Sequence, residues 1–170
     1  MTENVIIIPT RLEATRLPNK PLKKINNKEM ILHVYEAAKK ANIGDVIVAS
    51  PNQQICELIT SEKGICVKTK PDHQTGTDRI FEVFAKFLNK KPQTIINLQG
   101  DMPNIDPSAI KMLSSYMSKN MCDIATLASK FKDSKEIENI NNVKVSTNEL
   151  LFNNQFHEAT DFFRKNENIK

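Results

Sequence analysis

The chain has 170 residues, a formal net charge of +4, a pI near 8.9 and 39% hydrophobic residues. That size supports one domain with a well-buried core, and the composition is that of an ordinary globular protein. The lysines are scattered without a long basic run, so nucleic acid is not expected as a partner; three cysteines without a CxxC pair disfavour a zinc site or a disulfide framework and read as buried thiols.

The N-terminal MTENVIII lacks a basic n-region, and its apolar run is too short for a signal peptide. No later stretch approaches a membrane span, so cytoplasmic residence without membrane association is expected. Asn4 to Ile8 is β-branched and short, the pattern of a buried strand. A loop follows that carries Arg11, Arg16 and Lys20 among Pro9, Pro18 and Pro21, whose rings should hold it extended and partly pre-organised. After a turn at Asn26 and Asn27, the apolar positions Ile31, Val34, Ala37, Ala38 and Ala41 mark a helix over 30–41.

A strand over 45–49 leads to a helix over 53–63 that Gly64 is expected to terminate, and a strand over 65–68. The polar segment TKPDHQTGTDR precedes another helix, with Thr77 as its expected N-cap and Ile80, Val83, Phe84, Phe87 and Leu88 on its buried face. The next strand, 94–98, ends in Gln99-Gly100-Asp101-Met102-Pro103, and Pro107 opens a helix running toward Ser118. A fifth strand is expected over 124–128, a short one over 143–145 and a helix over 158–165. Strands and helices alternate, giving an α/β fold with a largely parallel sheet. We expect residues 1–130 to form an α/β domain and 131–170, where the pattern weakens, to be a C-terminal segment of it.

In such sheets ligands bind beyond the carboxyl ends of the strands. Three polar segments, 9–21, 69–79 and 99–106, fall at that edge and bring cations, hydroxyls and a carboxylate together. Two guanidinium forks and an ammonium suit a phosphate chain, although a solvated basic loop would show the same charges. Asp101 reads either as a ligand for Mg²⁺ held between a carboxylate and substrate phosphates or as a loop or capping aspartate. Arg79, in the first turn of its helix, needs a partner: a ligand, Asp78 or Asp101. His73 reads as a ligand contact or an exposed loop histidine. With no GxGxxG and no GxxxxGK[ST], dinucleotide and P-loop schemes are disfavoured.

Together, IIIPTRLEATRLPNKPL, KPDHQTGTDR and NLQGDMP resemble, in this order and spacing, the signature segments of the 3-deoxy-manno-octulosonate (KDO) cytidylyltransferases, also called CMP-KDO synthetases. The resemblance runs from about Val5 to Val145 and separates the chain from the CMP-sialic acid synthetases, whose first loop is richer in glycine. It implies the Rossmann-like, doubly wound, mostly parallel nucleotide-diphospho-sugar transferase fold, usually as a homodimer, with 1–130 as a nucleotide-binding α/β domain and 131–170 as a partial or divergent C-terminal segment of it. It also implies transfer of CMP from CTP to KDO with Mg²⁺, releasing pyrophosphate, for lipopolysaccharide synthesis. It further implies that Arg11, Arg16 and Lys20 contact the triphosphate and that Asp101 binds magnesium. Thr75, Gly76, Thr77 and Arg79 would line the base and sugar side, Pro9 and Thr10 would also bind substrate, and Gln99 and Gly100 would lie near KDO or the ribose. Two departures stand out: Met102 replaces a glutamate common in the family, and family members are longer, with a C-terminal portion that adds sugar contacts, dimer surface and a second aspartate. The alternatives are a silent CTP-binding module or fragment, a cytidylyltransferase for another acidic sugar and, least favoured, a nucleic-acid binder.

Overall fold

In the computed structural model, which describes residues 4–13, 17–119, 122–152 and 155–164, the chain opens with β1 (Asn4–Pro9). It continues through a 3-10 turn (Lys20–Leu22), the hairpin β2 (Lys24–Ile25) and β3 (Lys28–Glu29), α1 (Met30–Ala41), β4 (Asp45–Ser50), α2 (Gln53–Ser61), β5 (Ile65–Lys68), α3 (Gly76–Phe87), β6 (Thr94–Asn97) and α4 (Pro107–Lys119). Then come α5 (Ser134–Glu138), β7 (Lys144–Thr147) and β8 (Ala159–Phe163). Backbone contacts divide the chain into two compact units, Met1–Ala125 and Thr126–Lys170.

The first unit is built on a parallel sheet in the order β5-β4-β1-β6. Ile7 lies opposite both Ile47 of β4 and Asn97 of β6, so β1 is paired along both edges. It is also covered on both faces, which accounts for its unbroken aliphatic sequence. Ile6 and Ile8 point into a cluster with Ile31 and Val34 of α1, Ile55 and Ile59 of α2 and Ile110 of α4. Val5 and Ile7 face the other way, toward Ile80 and Val83 of α3. The expected α/β, doubly wound parallel architecture is therefore present.

Several local expectations change. Lys20–Leu22 is a 3-10 turn entered through left-handed Asn19 (φ 56°), not an extended segment. Pro21 tolerates this because its fixed φ is also helical. Asn26 and Asn27 both take positive φ, as the tight β2–β3 hairpin requires. At the end of α2 the left-handed residue is Lys63 (φ 58°) rather than Gly64. Gly64 answers to space instead: a Cβ there would stand 2.7 Å from Ile59 Cγ2 and from the Tyr35 hydroxyl.

Cys56 and Cys66 are not buried free thiols. They form a disulfide, with Cα atoms 5.1 Å apart, because α2 turns back directly along β5. Cys122 is free and half-buried, with its Sγ 3.3 Å from Met117 Sδ. The segment 124–128 is not a strand, and Ile124 is 87% exposed. An apolar run becomes a strand only where it pairs with a neighbouring strand, and 124–128 pairs with none among the described residues.

In the second unit, the strand expected over 143–145 is β7, and it pairs antiparallel with β8, Val145 opposite Phe162. The helix expected over 158–165 is thus a strand through Phe163, with Lys165 outside the described residues. Its Thr-Asp-Phe-Phe sequence suits a pleated pairing better than a helix. Lys144, buried in this unit, has its ammonium saturated by the carbonyls of Asn139, Asn142 and Arg164.

The loop between β5 and α3 is fastened to α3 by Glu82, which is 9% exposed. Glu82 Oε2 accepts the Lys70 N–H at 2.9 Å and lies 2.6 Å from His73 Nε2, while Lys86 donates to Oε1 at 3.2 Å. The His73 hydrogen bond and then the Lys70 N–H hold the carboxyl down at about 2, from an ordinary value of 4.5. Since the folded value is depressed, the stabilisation is complete above the ordinary value and is lost as pH falls toward the folded one. An acid titration of unfolding stability should therefore decline between about pH 4.5 and 2, and Glu82→Gln should flatten that decline. For the core, Ile6→Ala should cost about 2–5 kcal/mol in urea unfolding, the range for truncating a fully buried aliphatic side chain.

Candidate functional site

The chain runs β1, β4, β5 outward in one direction, whereas β6 lies on the other side of β1. The topology therefore switches direction between β1 and β6, where a parallel sheet opens a crevice at its carboxyl edge. A cleft of about 280 Å³ lies there. Its lining comes from the end of β1, the 3-10 turn, the start of α1, the loop before α3, the first turn of α3 and the loop after β6.

Most of the expected site residues meet in this cleft: Pro9, Thr10, Arg11, Lys20, Thr75, Gly76, Arg79, Gln99, Gly100 and Asp101 all line it. Arg16 lies outside the described residues. Thr77 is exposed and is not part of the lining. The difference follows from where α3 begins. Thr75, not Thr77, is the N-cap: its hydroxyl accepts the Asp78 N–H at 3.1 Å, and Asp78 Oδ2 accepts the Thr75 N–H at 3.0 Å. This capping box places Thr75 and Gly76 at the cleft and Thr77 beyond it. The hydrogen bonds from Thr75 also hold the Asp78 carboxyl below its usual range.

Two backbone extensions hold the walls in place. The Thr10 N–H donates to the Ala49 carbonyl at 3.0 Å, and the Leu98 N–H donates to the Ile7 carbonyl at 3.1 Å, so the sheet ladders continue past the strand ends. Gly100 then packs directly against β1's exit. A Cβ on Gly100 would meet Thr10 Cβ at 3.0 Å and the Pro9 carbonyl oxygen at 3.1 Å. A larger residue would therefore crowd the exit of β1 at this point of the lining.

The charges are arranged unevenly. Lys20 Nζ pairs with Asp101 Oδ2 at 2.8 Å, and both groups are partly open to solvent. Arg79 is only 2% exposed and forms no ion pair with Asp78 or Asp101 among the described residues. Instead its Nη1 donates to Thr69 Oγ1 and to the Lys70 carbonyl, the latter at 2.9 Å. Burial and then the neighbouring positive charge of Arg11 push the Arg79 guanidinium below its ordinary value. Arg79 is therefore a buried strut of the loop before α3 as well as a lining residue.

Pro21, Met30, His73 and Gln74 complete the lining. His73 lines the cleft and is not a solvated loop residue, since Glu82 holds its ring. Met30 carries no chemical signature in sequence; the return of the chain through the hairpin brings it to the cleft, beside Pro21 of the cationic loop. Asp101 offers one carboxylate at a strand end, and no cluster of three or more His, Cys, Asp or Glu capable of holding a metal exists among the described residues. The arrangement is suited to an anion bearing its own oxygen ligands for a metal, and not to a metal held by protein alone.

A family model described as cytidylyltransferase matches residues 5–170. The chain is 42% identical over 147 residues to the 3-deoxy-manno-octulosonate cytidylyltransferase of Nitrobacter winogradskyi, covering 85% of this chain and 58% of that protein. It is 37% identical over 155 residues to the enzyme of the same name from Vibrio cholerae, covering 91% and 62%. Among solved structures, CMP:2-keto-3-deoxy-manno-octonic acid synthetase complexed with CTP superposes with a TM-score of 0.83 at 35% identity, over 95% of this chain and 64% of that one. A cytidylyltransferase from Leptospira borgpetersenii shares the fold, with a TM-score of 0.59 at 18% identity over 71% of this chain and 51% of that one. The chain thus spans about three fifths of the length of the curated relatives it matches. Since the family match begins at β1 and takes in every segment that builds the cleft, the chain belongs to the cytidylyltransferase family.

Proposed function

We propose that the cleft binds CTP and that the protein transfers CMP from CTP to KDO, releasing pyrophosphate. The observation that carries this reading is the convergence of Arg11, Lys20, Gln99, Gly100 and Asp101 with the Thr75–Gly76 helix start in one strand-end cleft. The names of the relatives supply the nucleotide and the sugar acid. Lipopolysaccharide synthesis as the destination of the product, cytoplasmic residence, a homodimer and the absence of nucleic-acid or membrane partners belong to the same reading.

In this reading Arg11 and Lys20, with Arg16, grip the triphosphate and neutralise charge that grows on the departing pyrophosphate. The anomeric hydroxyl of KDO attacks the α-phosphorus in line; the new C–O–P link forms as the bond to the β-phosphate oxygen breaks, and the hydroxyl proton passes to solvent. Thr10, Thr75 and Gly76, with Pro9 and Arg79, shape the base and sugar side, and Gln99 and Gly100 face the acceptor. Asp101 fits Mg²⁺ as a single carboxylate ligand, the remaining positions being left to phosphate oxygens and water. When bound, the metal would polarise the α-phosphate. Lys20 would leave Asp101 for the phosphates as the nucleotide enters.

A second reading is favoured by one observation, the span of about three fifths of the relatives' length. It holds that the chain binds CTP without turning it over. Mixing the purified chain with CTP, KDO and Mg²⁺ should release pyrophosphate. Release of none from folded protein that still binds CTP in calorimetry would favour the binding module, and absent CTP binding would contradict both readings. Lys20→Met should weaken CTP binding by about 1.5–3 kcal/mol, the cost of losing a charge-assisted contact, and unchanged affinity would remove Lys20 from the triphosphate site.

A further inference from the structure

Asn52 precedes α2 and is its N-cap, the position where an asparagine side chain ordinarily accepts a hydrogen bond from the first turn. Here the side chain makes no such bond. It reaches instead across 40 residues of sequence, where Oδ1 accepts the Leu12 N–H at 3.1 Å. Its Nδ2 donates to Glu13 Oε1 at 2.8 Å. The orientation of the amide follows from chemistry, because a carboxylate can only accept and a backbone N–H can only donate. Ser50, fully buried, steadies the same residue: its Oγ accepts the Asn52 N–H at 3.2 Å and lies 3.5 Å from Oδ1.

Leu12 and Glu13 directly follow Arg11, which lines the cleft. On its other side, Arg11 follows Thr10, which is tied to Ala49 by its backbone N–H. Arg11 is therefore flanked by two anchors, both rooted at the end of β4. Glu13 also interacts electrostatically with Arg11 and Arg79, and the Asn52 hydrogen bond is the main reason its carboxyl lies below the usual range. We infer that Asn52 and Glu13 form a clamp that positions Arg11 for the phosphate chain, so that both are positioning residues for nucleotide binding although neither lines the cleft. The inference rests on the CTP reading above.

The sign of one substitution separates a clamp from a plain charge. Glu13 is exposed, so Glu13→Ala should leave the fold unchanged. If Glu13 acted only by its negative charge, removing it beside an anion site would tighten CTP binding. If it clamps Arg11, CTP binding weakens, by about tenfold for a lost contact worth roughly 1.4 kcal/mol. Glu13→Gln keeps an acceptor for Asn52 Nδ2 and should not weaken binding. Asn52→Asp should weaken binding, because two carboxylates would face each other, and Asn52→Asp with Glu13→Gln should restore it by reversing the donor and acceptor.

Calorimetry with CTP and Mg²⁺ reads these affinities, and circular dichroism verifies folding. Weakening by Glu13→Ala together with rescue in the double variant is the expected result. Wild-type binding that Glu13→Ala leaves equal or tighter would overturn the clamp while leaving the CTP reading in place. Amide exchange at Leu12, measured without nucleotide, tests the clamp even if the wild-type chain binds no CTP. Protection lost in Asn52→Ala is expected, and a Leu12 amide that exchanges freely in the wild type would overturn it.

Discussion

Everything in the cleft depends on the placement of β1, paired on both edges and buried on both faces. A strand held in this way cannot shift its register or rotate without exposing aliphatic side chains on one face and breaking ladders on both sides. Its carboxyl end is therefore a fixed point. Thr10 is bonded back to β4, Leu98 to β1, and Gly100 lies against Pro9 and Thr10. The polar loops inherit their positions from the sheet, with Leu12 and Ile105 packed against the core beneath it.

On that frame the charged groups are only partly committed. Lys20 and Asp101 neutralise each other across the cleft while both are open to solvent. Such an exposed pair contributes little to stability, so an entering anion can exchange partners with it at small cost. Arg79 is the opposite case, a guanidinium withdrawn from solvent and held by a hydroxyl and a carbonyl. One cation can thus be recruited by a ligand while the other shapes the wall. The adjacent arginine, Arg11, lies between these extremes, exposed itself but flanked by anchored backbone.

The sheet and the cleft were largely legible in sequence because aliphatic runs ending in proline, glycine and polar residues carry strand and strand-end signals within a few positions. Arg11, Lys20, Gln99, Gly100 and Asp101 all sit within four residues of such an end or beside a proline. What could not be read depended on distant partners. Arg79 finds its acceptors in Thr69 and Lys70 only once the loop folds back. The run at 124–128 has strand composition but pairs with no strand among the described residues, whereas 159–163 finds β7 and becomes a strand. Thr75 and Thr77 are equally good caps by residue type, and the reciprocal bond with Asp78 selects Thr75. The cysteine pair is not legible in sequence, because spacing alone does not reveal that α2 and β5 lie side by side.

The most direct measurement of the central claim is a crystal structure of this chain grown with CTP and Mg²⁺. The triphosphate should lie in the cleft against Arg11 and Lys20, with Lys20 drawn from Asp101 and the metal bound to Asp101. A nucleotide bound elsewhere on the chain, with the Lys20–Asp101 pair intact and the cleft empty, would contradict the account.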